Sequence, residues 1–128
     1  MKHYFKITIL LAFLFSTSES YAQSEKETLQ NLIENFCREN YSSCFNGRKY
    51  VHNTLEIDKV QKIEDNQIKI EGTHSYRGSY GALYEYMEFK IYLTIYSNKV
   101  EIVFKKKAKA DFFNSTDYWE ECSKTFGD

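Results

Sequence analysis

The sequence predicts an α+β fold: an N-terminal helix, a curved four-stranded antiparallel meander and a C-terminal helix. Three observations support this prediction. Apolar residues recur every three or four positions in residues 24–39, alternate with polar residues in residues 50–108, and return to helical spacing after Ala108. Because helices repeat every 3.6 residues and strands every two, these spacings separate helical from extended segments.

The first 22 residues have the pattern of a secretory signal peptide. Lys2 and Lys6 supply a positive region, a short apolar stretch follows, and Ser20 and Ala22 are the small residues of a cleavage site. The apolar stretch is much shorter than the roughly 20 residues that span a bilayer. We therefore expect export to the periplasm or the extracellular space, no membrane anchor after cleavage, and a single mature domain over residues 23–128.

Charge and composition narrow the classes of partner. The formal net charge is −1, 17% of the residues are aromatic and none is proline. A near-neutral chain gives no support for a nucleic-acid or anionic-membrane partner, and its composition favours sheet. The one basic run contains Lys105, Lys106, Lys107 and Lys109. It could bind an anionic polymer, but lysines on the last strand of a meander more simply protect an exposed edge from aggregation.

Residues 24–39 form the predicted first helix. Ser24 and Glu27 have the spacing of a capping box, in which each side chain accepts a hydrogen bond from a free backbone N–H of the first turn. One apolar stripe follows at three- and four-residue steps: Leu29, Leu32, Ile33, Phe36 and Cys37. We expect this stripe to face the sheet.

The predicted first hairpin has three parts: residues 50–63, a turn at Asp65 and Asn66, and residues 67–76. This turn makes three facing pairs: Ile63 with Ile68, Ile57 with His74, and Leu55 with Tyr76. Val60 then has the wrong parity for the apolar face. We therefore expect a bulge or a break within residues 58–62.

Two further hairpins are predicted. Residues 77–81 contain two glycines, which can adopt positive φ, and form a loop. A strand over residues 83–97 follows and turns at Asn98 and Lys99 into a strand that ends at Ala108. This turn makes another three facing pairs: Ser97 with Val100, Ile95 with Ile102, and Leu93 with Phe104. One face of this hairpin is therefore an apolar core face.

The strand over residues 83–97 must bend. Its fifteen residues would span roughly 50 Å if they were straight. A domain of this size has a radius of gyration of about 13 Å. We therefore expect the sheet to curve around the first helix.

The chain after Ala108 predicts a second helix. Trp119, Cys122 and Phe126 follow one another at helical spacing, and Gly127 ends the helix. The resulting order of helix, curved antiparallel meander and helix resembles that of cystatin-like and NTF2-like domains. A resemblance in element order implies a fold but not an activity.

Three cysteines lie in the predicted mature chain, and export favours the formation of one disulfide with one thiol left over. Cys37 and Cys44 are closest in sequence and could pair if the chain reverses after the first helix. Cys44 and Cys122 would instead tie the two ends of the chain together and close a longer loop. Both pairings remain open. No second close Cys/His pair completes a zinc site, and we expect neither a metal nor a cofactor.

The face opposite the apolar core face carries a row of tyrosines: Tyr84, Tyr86, Tyr92 and Tyr96. Tyrosine combines a large contact area with a low entropy cost, so the row could bind a protein partner or a sugar. The alternative is structural, because tyrosine is a strong strand former and the C-terminal helix could cover this face. The loop over residues 77–81 adds Arg77 and Tyr80 as further candidate contacts.

His74 is the best candidate for a titrating residue. A tight register across the loop would place it near Glu85, and such a pair at a cavity mouth could act as general acid and base. The alternative is a half-buried strand histidine that faces a glutamate and has no catalytic role. No nucleophile is fixed nearby.

Three functional hypotheses follow. The first, which we favour, is an exported binding module, such as an inhibitor or immunity-type protein, that contacts a protein partner through the tyrosine row or the loop. The second is a carrier for a small apolar ligand, held between sheet and helix by a set of apolar side chains: Met87, Phe89, Ile91 and Phe36. The third is a small enzyme that uses His74 with a carboxylate.

Overall fold

The computed structural model of the protein describes residues 23–78, 80–108 and 117–127. Within these residues it confirms an α+β fold, in which one helix accompanies a curled antiparallel sheet that forms a half-barrel. The described elements, in chain order, are one helix and six strands: α1 (Gln23–Cys44), β1 (Lys49–Tyr50), β2 (Glu56–Glu64), β3 (Gln67–Arg77), β4 (Leu83–Ile95), β5 (Lys99–Ala108) and β6 (Tyr118–Gly127). The predicted signal peptide, Lys109 and the side chain of Ser24 lie outside what the structure describes.

The described strands form one antiparallel sheet, with β3 paired to β1 and β2 on one side and to β4 on the other. Strands β5 and β6 continue the sheet beyond β4. The prediction of four strands is therefore wrong: the first predicted strand is divided into β1 and β2, and the C-terminal segment adds β6. The predicted first strand breaks after Tyr50, because Asn53 adopts a positive φ of 65° and the Thr54 hydroxyl donates to the Val51 carbonyl at 2.6 Å.

Helix α1 packs its apolar stripe against the inner face of the sheet. The helix continues to Cys44, beyond its predicted end at residue 39, because Tyr41 and Phe45 extend the buried stripe by another turn. Phe104 on β5 lies at the centre of the core. Its ring stacks on Phe36 of the helix, with ring centroids 6.0 Å apart, and on Phe89 of β4 at 5.7 Å. Burial of these rings contributes hydrophobic stabilisation that joins helix to sheet.

The predicted C-terminal helix is wrong, because residues 118–127 form strand β6. Trp119, Cys122 and Phe126 fit a helical spacing, but Cys122 and Phe126 also fit an alternation of half-buried and exposed residues. Pairing with β5 selects the strand, since it places the carboxylates of Glu120 and Glu121 opposite lysines of β5. A helix at this position would leave those lysines without this ladder.

The same strand overturns the prediction that the basic run protects a sheet edge. Strand β5 is an interior strand, and each of its three consecutive lysines near the C-terminal end has a carboxylate partner. The pairs are Lys105 with Glu121 at 3.5 Å, Lys106 with Glu120 at 2.8 Å, and Lys107 with Glu88 at 2.8 Å.

A disulfide joins Cys44 at the end of α1 to Cys122 on β6, with Cα atoms 5.4 Å apart. This confirms the pairing that ties the two ends of the chain together. A Cys37–Cys44 disulfide is wrong because both residues lie in α1, where seven residues separate their Cα atoms by about 10 Å, more than a disulfide bridges. Cys37 is free and buried, and its burial raises the pKa of its thiol.

The first hairpin turns at the predicted residues, but its register differs from the prediction. Glu64 faces Gln67, and an irregularity after Lys62 moves Lys62, rather than Ile63, opposite Ile68. A second irregularity lies between Ile57 and Lys59, within the range predicted from the parity of Val60. The two bulges shift the register by one residue each, which is why the simple pairing fails.

The hairpin of β4 and β5 has the predicted apolar face with a register that is shifted by two residues. Ile95 faces Val100, and Ile91 faces Phe104, because the chain turns at Ser97 and Asn98 and not one residue later. A two-residue shift preserves parity, so the side chains predicted for the core still face it.

Candidate functional site

The structure separates the four predicted tyrosines rather than presenting them as a row. Tyr92 lies on the outer face of the sheet, where the ammonium groups of Lys69 and Lys105 lie 5.8 and 5.5 Å from its ring centroid. Tyr96 lies at the far end of β4, near the turn into β5. Tyr84 is half-buried and packs on Tyr76, with ring centroids 5.2 Å apart. Only Tyr86 is strongly exposed, with 76% of its surface accessible.

A bulge in β4 explains why the row breaks. The pairing of β3 with β4 shifts between His74 and Tyr76, so that Glu85 and Tyr86 both lie opposite Ser75. The extra residue reverses the alternation, and Tyr84 therefore packs towards the core. Tyr86 adopts a positive φ of 56°, and its N–H donates to the Ser75 hydroxyl at 3.4 Å.

The backbone of Tyr86 is strained. A positive φ is uncommon for a large side chain, costs on the order of 1–3 kcal/mol, and persists only where the surrounding structure imposes it. Strain of this kind concentrates at binding and catalytic sites. The combination of a strained backbone and an exposed aromatic ring makes Tyr86 the best single indicator of a functional surface.

The loop between β3 and β4 holds a second aromatic residue in solvent. Internal hydrogen bonds close this loop: Gly78 N–H donates to the Ala82 carbonyl at 2.8 Å, and Arg77 donates to the Gly81 carbonyl at 3.1 Å. Gly81 has a φ of +83°, which a residue with a side chain rarely adopts. Tyr80 is fully exposed at the tip of this closed loop.

We call Tyr80, Leu83 and Tyr86 the hairpin-tip surface. All three are exposed apolar side chains at the same end of the β3–β4 hairpin. Of the seven large apolar side chains that are exposed in the described residues, these three and the first two residues of β6, Tyr118 and Trp119, lie at this end of the sheet. This clustering distinguishes the end from an ordinary surface with scattered apolar residues.

His74 does not meet Glu85. It lies opposite Met87, its side chain is completely buried, and its Nδ1–H donates to the Met87 carbonyl at 2.7 Å. Because Nδ1 carries the proton, Nε2 accepts the hydrogen bond from the Tyr41 hydroxyl at 2.8 Å. Burial is the main cause that lowers the pKa of His74 to about 4. The neutral imidazole therefore links helix α1 to the sheet.

A buried ion pair lies in the same core and was missed by sequence reasoning. The ammonium group of Lys106 is fully buried, 2.8 Å from Glu120, and lies 4.2 Å from the ring centroid of Tyr76 and 4.9 Å from that of Phe45. The second oxygen of Glu120 lies 3.5 Å from Arg48. Burial lowers the pKa of Lys106, and the carboxylate of Glu120 opposes that shift. The sequence does contain a sign of this ion pair, because the lysine run of β5 complements two adjacent glutamates of β6 in charge.

The outer face of the sheet carries a shallow groove of about 330 Å³. Charged and polar side chains with one indole ring form most of its lining: Asp58, Lys59, Glu71, Thr73, Glu88, Lys90 and Trp119. Lys90 covers the ring of Trp119 with its ammonium group 4.8 Å from the ring centroid. A cation–π contact on so exposed a surface contributes only about 0.5–1 kcal/mol of stability.

The side chains predicted to line a ligand cavity fill the space between helix and sheet instead. All four are buried in the hydrophobic core: Phe36, Met87, Phe89 and Ile91. The rings of Phe36 and Phe89 both pack on Phe104. These residues therefore contact one another where the carrier hypothesis expects a ligand.

Within residues 23–78, 80–108 and 117–127, no helix has the length and apolar character needed to cross a membrane. In the same described segments, no group of three or more His, Cys, Asp or Glu side chains is arranged to hold a metal ion. Comparisons with family models, with curated proteins and with solved structures found no match to this chain.

Proposed function

We propose that this chain is an exported binding module that recognises a protein partner through the hairpin-tip surface. One observation carries the proposal: Tyr86 presents an exposed aromatic ring on a strained, left-handed backbone. A fold retains such strain only where the surrounding structure imposes it, and a binding surface is a frequent reason.

The chemistry of the hairpin-tip surface suits a protein partner. Tyrosine is enriched among the residues that dominate binding energy at protein interfaces, because a rigid ring buries a large area and its hydroxyl still forms a hydrogen bond. Tyr80 and Tyr86 both have this character, and Arg77 beside them adds a charged donor. The hydrogen bonds that close the loop limit the entropy lost on binding.

A small rigid domain that projects an aromatic loop is suited to the role of an inhibitor or immunity-type protein, which acts by covering a surface of its target. The signal-peptide pattern and the disulfide between Cys44 and Cys122 support export, because disulfides persist in oxidising compartments. No specific observation favours the carrier or the enzyme, since the core residues contact one another and His74 is buried and neutral.

The proposal can be tested by affinity capture with the oxidised protein from the producing organism and its neighbours. Tyr86→Ser should weaken binding of the captured partner by about 30-fold, as expected for a dominant interface tyrosine. Tyr96→Ser is the matched control, because it removes an exposed tyrosine at the opposite end of the sheet, and it should leave binding unchanged.

A second variant separates binding from folding. Tyr86→Gly removes the ring but adopts a positive φ without strain, so the free energy of unfolding should stay the same or rise by up to about 1 kcal/mol while binding is lost. The proposal fails if Tyr86→Ser and Tyr86→Gly bind the captured partner as tightly as the wild type. It also fails if no stoichiometric partner is captured.

A further inference from the structure

The two edges of the sheet differ in regularity. Strand β2, at one edge, has two register irregularities in its pairing with β3. Strand β6, at the other edge, pairs with β5 over ten residues without any irregularity, and within the described residues it has no partner strand on its other side. Bulges are one means by which proteins protect an edge from further pairing, and β6 lacks them and contains no proline.

The inner side chains of β6 are also incompletely covered. Cys122 and Phe126 face the core, and Phe126 packs edge-on against Phe36 with ring centroids 6.1 Å apart, yet both remain half-buried. A strand placed beside β6 would extend the sheet, satisfy its outward backbone groups and cover these side chains.

We propose that β6 pairs with β6 of a second copy of this chain, antiparallel and with the two-fold axis at Cys122. A two-fold axis perpendicular to the sheet places the inner side chains of one copy next to the inner side chains of the other. The residue numbers of each facing pair must therefore add up to an even number. With the axis at Cys122, the facing pairs are Tyr118 with Phe126, Trp119 with Thr125, Glu120 with Lys124, and Glu121 with Ser123.

Charge complementarity selects this register and a second copy as the occupant. Each Glu120 faces a Lys124 of the other copy, each aromatic Tyr118 faces an aromatic Phe126, and no like charges face each other. Moving the axis one residue towards the N-terminus would place Glu121 opposite Glu121. Moving it one residue towards the C-terminus would place Glu120 opposite Phe126. The strand is thus self-complementary, as a two-fold interface requires.

This interface goes beyond the proposed function and does not use the hairpin-tip surface. In the proposed pair of Glu120 with Lys124 of the second copy, the carboxylate is already held in position, because Lys106 and Arg48 of its own chain contact it. A carboxylate has about four acceptor positions, so Lys124 of a second copy can add a further contact.

Ser123 offers a direct test, because in the proposed register it faces Glu121 of the other copy on the exposed outer face. Ser123→Lys would create two new attractive pairs in each dimer, and Ser123→Glu would create two repulsive pairs. In its own chain, residue 123 lies diagonally between Lys105 and Glu101 of β5. A lysine or a glutamate at this position therefore has an opposite charge nearby within its own chain.

Sedimentation equilibrium of the oxidised protein measures the outcome. We expect a concentration-dependent dimer, a dissociation constant about fivefold lower for Ser123→Lys, and one about fivefold higher for Ser123→Glu. The matched controls are Gln61→Lys and Gln61→Glu, at an exposed position of the bulged edge strand β2, and both should match the wild type.

Hydrogen exchange supplies a second readout, in which backbone amides of β6 should become better protected as the protein concentration rises, whereas those of β2 should not. A protein that stays monomeric into the millimolar range overturns the proposal. So does a dimer whose dissociation constant responds to both Ser123 substitutions in the same direction or to neither.

Discussion

Lowering the pH from 7.5 to 4.5 should destabilise the fold by about 3 kcal/mol through His74 alone. The ordinary pKa of this side chain is 6.5, and burial lowers it to about 4 in the folded protein. The hydrogen bond to the Met87 carbonyl opposes that shift, and the positive charge of Lys106 adds to it. Tyr41 and Tyr76 also pack on the imidazole, and no carboxylate of the described residues is paired with it.

The sign and size follow from proton linkage. Between pH 6.5 and about 4, the unfolded chain binds a proton at His74 and the folded chain does not, so stability rises with pH in this window. The stabilising contribution of the neutral imidazole is fully present above pH 6.5 and is lost as the pH falls towards 4. Each pH unit is worth about 1.4 kcal/mol, so the full window corresponds to about 3.5 kcal/mol and the part above pH 4.5 to about 3.

Urea unfolding at a series of pH values, followed by circular dichroism, measures this dependence. His74→Gln keeps polar contacts in the site but cannot titrate, so its free energy of unfolding should fall less between pH 7.5 and 4.5 than that of the wild type, by about 3 kcal/mol. His52→Gln removes an exposed histidine, leaves the His74 site intact and should follow the wild type. Parallel pH profiles for the wild type and His74→Gln would refute the reasoning.

Two further predictions concern the core and the disulfide. Replacing Cys44 and Cys122 together by serine should lower the free energy of unfolding by about 4 kcal/mol, because their disulfide spans a sequence separation of 78 residues. At the buried ion pair, Glu120→Gln should cost about 3 kcal/mol and Lys106→Met about 1 kcal/mol or less. The difference arises because the first change leaves an ammonium group buried, whereas the second leaves a partly exposed carboxylate beside Arg48.

Urea unfolding measures both effects, and each has a matched control. Cys37→Ala removes the free thiol but keeps the disulfide, so its free energy of unfolding should not show the loss expected for the double serine variant. Lys105→Met breaks the neighbouring exposed ion pair with Glu121 and should change stability by less than about 0.5 kcal/mol. Equal costs for Glu120→Gln and Lys106→Met would contradict the account of the ion pair.

The sequence predicts the faces of the elements better than their registers. The apolar side chains of β4 and β5 face the core as predicted, although the hairpin turns one residue early. Side-chain alternation fixes parity, and a shift of two residues leaves parity unchanged. In the first hairpin, by contrast, the parity of Val60 was a usable sign of irregular pairing. The direction in which the bulges shift the register could not be derived from this parity, because a bulge depends on contacts with other strands.

The C-terminal strand could not be derived from local pattern alone. Trp119, Cys122 and Phe126 fit a helix, and Cys122 and Phe126 fit a strand equally well. What decides is a non-local match between the glutamates of β6 and the lysines of β5. A comparison of charge patterns between segments, rather than periodicity within one segment, would have found it.

The candidate site was partly predictable. The two glycines of the β3–β4 loop identified the turn that exposes Tyr80, and this residue lies where expected. The predicted tyrosine row includes Tyr86, but the structure distinguishes this residue by a bulge at a position that has no glycine to reveal it. The sequence predicts a titrating His74 near Glu85, whereas the observed register pairs this histidine with Met87 and buries it.

The link between Cys44 and Cys122 also imposes an order in time. Its first thiol is synthesised with the helix, but its partner follows only after the first five strands. The neighbouring thiol of Cys37 cannot substitute, because a formed helix holds it about 10 Å from Cys44. The disulfide can therefore form only after β6 has been synthesised, and once formed it holds β6 to the end of helix α1.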